Sequence, residues 1–219
     1  MARAAPLVAE SLAIFERREN RYELADGLGM LGIITLLQGD LGQAHRHLHE
    51  AVTLLTAFTH EGMLGTWQPL LGLVTLYGGD APEARRLLNE SLCLCLEMKY
   101  KHRLARVCAY LAEAALEEGE LDEAEQWLTQ SLAHDADPQR ITICEVERLW
   151  VAARLATAQQ QYLHAARLFG LADQAHSQIH YAIAGPMRAL ADASLATVQA
   201  ALDVEVFCQS VRRRAGVVL

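Results

Sequence analysis

The chain has 219 residues, is 52% hydrophobic and carries a formal net charge of -8 at pH 7. That charge argues against direct nucleic-acid binding, because neutralising phosphates supplies most of such affinity. No stretch approaches the roughly 18 consecutive uncharged apolar residues needed to span a bilayer, so no membrane association is expected. With only 5 prolines and 14 glycines the composition suits an all-α chain, and no segment reads as a linker, so residues 1–219 are expected to form one domain.

The first predicted element, a helix over 3–18, takes its meaning from the later repeats. Ala4 and Ser11 lie 40 residues before Ala44 and Ala51, so the sequence opens on the second helix of a repeat. Such a half repeat is expected to expose an apolar edge suited to another subunit or to further chain, unless it acts as a terminal cap. The frame is fixed by Gly39-Asp40, Gly79-Asp80 and Gly119-Glu120, spaced by 40 and 40, with Gln160-Gln161 coming 41 later. Four repeats are therefore expected at 21–60, 61–100, 101–140 and 141–180. Each first helix carries a small residue (Gly32, Gly72, Ala112, Ala153), and twelve residues later each second helix carries an alanine (Ala44, Ala84, Ala124, Ala165). A large residue succeeds the alanine by four (Leu48, Leu88, Leu128, Phe169). Small against small lets two antiparallel helices approach to the short end of the roughly 8–10 Å range, and the large residue fills the next gap.

Repeat one contains His45, His47 and His49. His45 and His49 share a helical face, as zinc ligands do, but no third ligand and no catalytic glutamate accompany them. His47 aligns with Leu87, Trp127 and Leu168 and is expected between helices. Repeat two carries Gly65-Thr66-Trp67-Gln68-Pro69 inside its first helix. Pro69 removes a backbone donor, so a kink is expected, with Trp67 either opening a pocket or buried as filler. Repeat three is acidic, with Glu113, Glu117, Glu118, Glu120, Asp122, Glu123 and Glu125 expected on a solvated face, and Asp137-Pro138 is expected to end it. Repeat four places Trp150 and Arg154 on its first helix. Beyond Gly185-Pro186, two capping helices are expected within 186–214, broken at Asp203. The five cysteines are odd in number and lack CxxC spacing, which favours free thiols. Nothing calls for a metal or cofactor.

The small residue after leucine, the break, and then Ala, a large residue and a second small one resemble the tetratricopeptide repeat (TPR). The expected aromatics are replaced by Thr35, Thr75, Ala115 and Ala156, and the period is 40 rather than the usual ~34. The resemblance implies a right-handed superhelical solenoid of antiparallel helix pairs, about eleven helices in all. The segment from RLFGLADQAH through LDVEVFCQS resembles the C-terminal part of bacterial signal-transduction ATPase regulators of the MalT-like, LuxR type. That resemblance implies a cytoplasmic regulatory arm that binds a peptide, a protein or a small inducer in a concave groove. By register, the groove would be lined by Ile33, Leu36, Trp67, Pro69, Leu73, Tyr77, Arg106, Glu113, Glu147, Trp150 and Arg154. No phosphate-binding GxxxxGK[ST] loop occurs in the chain. Three readings are open: a non-catalytic binding scaffold, a self-assembling element that dimerises through the N-terminal half repeat, and a metal-dependent enzyme built on His45 and His49.

Overall fold

The computed structural model describes residues 4–17, 20–57, 60–134, 142–179 and 185–212. Among them every regular element is an α-helix and none is a strand. α1 spans Ala4–Arg17. The repeats come next as pairs: α2 (Arg21–Leu37) with α3 (Leu41–Ala57), α4 (Glu61–Tyr77) with α5 (Ala81–Glu97), α6 (Lys101–Glu117) with α7 (Leu121–Ala133), and α8 (Ile143–Ala158) with α9 (Tyr162–Ile179). α10 (Gly185–Ala201) and α11 (Val204–Arg212) close the described chain. The chain divides into two compact halves, Met1–Arg103 and Leu104–Leu219.

The break inside each repeat is made by backbone geometry. Gly39, Gly79 and Gly119 have φ of 84°, 91° and 81°, a left-handed conformation that costs glycine nothing, and Gln160 adopts φ 61° at the fourth break. The next residue's N–H then reaches back to the helix it leaves: Asp40 to Thr35 O at 3.0 Å, Asp80 to Thr75 O at 3.2 Å, Glu120 to Ala115 O at 2.9 Å and Gln161 to Ala156 O at 2.8 Å. This satisfies carbonyls that a helix end would leave orphaned. The same aspartates start the second helix, Asp40 Oδ1 accepting from Gln43 N–H at 2.9 Å and Asp80 Oδ1 from Glu83 N–H at 3.2 Å. Glu120 makes no such side-chain cap. Between repeats the first helices are capped by Asn20, His60 and Thr142, whose side chains accept from Glu23, Met63 and Glu145 N–H.

The seams fall where the small residues do. A Cβ on Gly32 would lie 2.5 Å from Leu48 Cγ, and one on Gly72 2.9 Å from Leu88 Cγ, so the large residue of the second helix fills the space glycine leaves. Ala44, Ala84, Ala124 and Ala165 are all fully buried. In the N-terminal half the repeats are joined by Trp67, whose ring rests on α2 where a Cβ on Gly29 would lie 2.4 Å away. α1 packs on α2, with Phe15 against the Leu28 and Ala51 cluster. In the C-terminal half α10 packs on α8 and α9, and α11 on α9, as expected of covering helices. Gly170 marks that last contact, with space for a Cβ only 2.7 Å from the Val211 carbonyl oxygen.

α4 is helical from Glu61 to Tyr77 with Pro69 inside it, and Gly65 packs beside Arg103, whose Nη1 donates to the Gly62 carbonyl. One expectation needs revision. Glu113 is not on a solvated face: it is fully buried, because Arg154 supplies the charge that makes burial tolerable. Asp137-Pro138 lies outside the described residues.

Candidate functional site

The first helices of the two halves differ in kind. In the N-terminal half Leu36, Trp67, Pro69 and Leu73 are buried and apolar, while Ile33 and Tyr77 are half-buried. Trp67 is therefore filler between repeats rather than the wall of an open groove, and its indole nitrogen finds no acceptor among the described residues.

In the C-terminal half the equivalent surface is ionic and closed. Arg154 donates through Nη1 to Glu113 Oε1 and through Nη2 to Glu117 Oε1. The Tyr110 hydroxyl donates to Glu147 Oε2 at 3.2 Å. Loss of water pushes the Glu147 carboxyl up to about 7, and the Glu113 charge adds to this, while Arg106 and the Tyr110 hydrogen bond oppose it. Burial likewise raises the Tyr110 phenol well above its usual range, with the Glu147 charge adding to it. Trp150 is buried against His176 on α9, ring centroids 6.1 Å apart, and Arg188 of α10 sits 5.4 Å over its ring. Among the expected groove residues of this half, Glu113, Trp150 and Arg154 are thus buried in the chain's own packing, and only Arg106 and Glu147 are half-buried. A buried side chain has little surface to offer a partner.

Open concavities lie where two second helices flank a first helix. One lies between α3 and α5 and encloses about 470 Å³; Leu71 and Leu87 form part of its lining, with His45, His49, Glu83, Arg86 and Glu90 around them. His45 and His49 stack at 6.0 Å between ring centroids. Arg86 Nε donates to Glu83 Oε2 at 2.7 Å, and Gln68 Nε2 to Glu90 Oε2 at 3.0 Å. The Arg86 hydrogen bond holds the Glu83 carboxyl below the usual carboxylate range. Among the described residues no group of three or more His, Cys, Asp or Glu side chains is placed to hold a metal ion.

Another lies among α7, α8 and α9 and has a volume of about 200 Å³. Its buried lining is Leu128, Arg148, Leu155, Ala156 and Leu168, and its more exposed lining includes Glu125, Thr129, Gln159, Gln161 and His164. The two clefts occupy the same place in the repeat. Glu125 stands where His45 does, His164 where Glu83 does, and Leu168 where Leu87 does. Arg148 is absent from the groove residues expected by register, yet the register marks it: it succeeds Trp67 and Val107 in a buried column, and a cation there departs from the pattern. Tyr110, which succeeds Leu70, is legible in the same way.

With the pairs, seams and caps in place, comparison with solved structures identifies the architecture. A crystal structure of nearly identical TPR-like repeats from Podosopora anserina, designated a kinesin light chain, superposes with a TM-score of 0.56 at 20% identity, covering 88% of this chain and 94% of that one. The fold is TPR-like. A single-substitution variant of the same repeats matches equally, with the same score, identity and coverage. No protein-family model matches the chain, and no curated protein sequence matches it. The TPR-like likeness describes the helical repeat and carries no regulator.

Proposed function

We propose that the protein is a non-catalytic TPR-like binding scaffold that holds an extended peptide or an amphipathic helix against its first-helix surfaces. The observation that supports this most is the repeat itself: stacked helix pairs leave rows of first-helix side chains partly exposed, here Ile33 and Tyr77 in one half and Arg106 and Glu147 in the other. The unbroken register of the sequence supports treating residues 1–219 as one array. The resemblance of the C-terminal segment to ATPase-linked bacterial regulators supports a cytoplasmic regulatory arm, with a protein, a peptide or a small inducer as its ligand. No helix of the described residues is long and apolar enough to cross a membrane.

The test is capture from a peptide library by the full chain. Binding to peptides that carry both apolar and charged residues, weakened at least tenfold by Tyr77→Ala or Arg106→Ala in variants of unchanged helicity, supports the scaffold. Retention of the same peptides by both variants overturns the placement on first helices.

A second reading is favoured by α1, where Leu7 is 62% exposed and Ile14 is also exposed. A second copy covering that edge would make the protein a self-assembling element. A mass in solution that rises with concentration, and no longer does so in Leu7→Glu, supports assembly; a monomer at every concentration removes it.

A further inference from the structure

We infer that His45 and His49 of α3 chelate a divalent late transition-metal ion, nickel or copper, in the cleft between α3 and α5, with water filling its remaining positions. The two histidines are four residues apart and so share one helix face, and their rings lie 6.0 Å apart between centroids with planes 22° apart. An ion with metal–nitrogen bonds of about 2.0–2.1 Å spans such a pair. Both side chains line the cleft, His45 half-buried and His49 exposed.

The number of ligands selects the metal. Zinc sites take three or four protein ligands, and no group of three is placed for that among the described residues. Two adjacent imidazoles, with the other positions left to water, suit the tetragonal geometry of divalent nickel and copper. The cleft, about 470 Å³, has room for those waters at roughly 30 Å³ each. Its lining is also net negative, with Glu83 and Glu90 against the single cation Arg86. Arg86 takes up both Glu83 oxygens, Nε donating to Oε2 at 2.7 Å and Nη2 to Oε1 at 2.6 Å, so this carboxylate supplies charge rather than coordination. The Glu83 carboxyl is held below its usual range first by that hydrogen bond, then by the Arg86 charge and last by His45 and His49, while burial opposes them. Charge at the two rings thus reaches Glu83 across the cleft.

Spacing alone does not make the site. His176 and His180 are also four apart, but the His176 ring packs against Trp150. In the equivalent cleft of the last two repeats, Glu125 and Thr129 stand where His45 and His49 do. The pair belongs to the first repeat.

Both ligands stand on one second helix, so the site holds or fails independently of peptide capture by the first helices. The experiment is calorimetric titration of the full chain with nickel(II) chloride at neutral pH, nickel being an ion that the free thiols do not reduce. Saturable binding is expected, weakened at least tenfold in His45→Ala and in His49→Ala and unchanged in His164→Ala. Magnesium, which takes oxygen ligands, is expected not to compete. Nickel is also expected to raise the thermal midpoint of the parent chain and not that of His49→Ala, because the pair is assembled only in the folded helix. Failure of nickel to bind saturably, or undiminished binding by His49→Ala, a variant at an exposed position, overturns the site. Competition by magnesium would assign the ion to the carboxylates Glu83 and Glu90 and overturns it equally.

Discussion

The same column of the repeat is apolar in one half of the molecule and ionic in the other. Ile33 and Leu73 occupy it in the N-terminal half; Glu113 and Arg154, 41 residues apart, occupy it in the C-terminal half and bond directly. Seven residues earlier Asp26 and Thr66 are succeeded by Arg106 and Glu147, again of opposite sign. The N-terminal half therefore brings its helices together on glycine and leucine, and the C-terminal half also joins α6 to α8 through charges of alternating order. The repeat constrains where helices touch and leaves open which force holds them there. The cost is dependence on a partner: a buried ion pair stabilises little against an apolar pair of similar volume, but half of one is worse than neither.

The comparison is broken most sharply by Glu113→Ala, which removes the fully buried one of the two carboxylates bonded to Arg154 and leaves the guanidinium with Glu117. It is expected to lower unfolding free energy by about 3–5 kcal/mol in urea titration, whereas Glu113→Leu combined with Arg154→Leu is expected to recover most of the loss. In the N-terminal half the corresponding insult is steric. Gly32→Val places carbon where Leu48 already stands and is expected to cost about 1–3 kcal/mol, with partial relief when Leu48→Ala is added.

The ionic half should respond to pH near neutrality. The folded Glu147 carboxyl holds its proton up to about 7, against an ordinary value of 4.5. Between those values the native chain is protonated there and the unfolded chain is not. Stability should thus fall as pH rises from about 4.5 to about 7, by at most about 1.4 kcal/mol per pH unit. Glu147→Gln is expected to flatten that slope, as read by thermal unfolding across the interval. The smallest effect belongs to a feature tied to neither seam. Asp80→Ala removes one helix cap and is expected to cost about 1 kcal/mol.

The fold is legible in the sequence because its determinants are local and recur: a left-handed glycine, a capping aspartate, and a small residue at a fixed distance from an alanine. The candidate surface is less legible. Register alone places Trp67, Glu113, Trp150 and Arg154 in a groove, but it does not say which face of a first helix meets the neighbouring repeat. Glu113 reads as solvated because its counter-ion lies one repeat away, outside any window in which helical charge patterns are scanned. Arg148 escapes notice for a related reason. Its significance lies in departing from the column of Trp67 and Val107, and a single departure is visible only once the column is known to be buried.

The bond from Arg154 to Glu113 also limits how this chain can be rearranged. In an array of interchangeable modules, a segment of one period can be duplicated, deleted or moved and its neighbours find equivalent contacts. Here, inserting a copy of the second repeat between the third and fourth would set a leucine against an arginine on one side and a glutamate on the other. The last two repeats have become a single inheritable block, and natural or designed lengthening of the protein is expected to occur outside it.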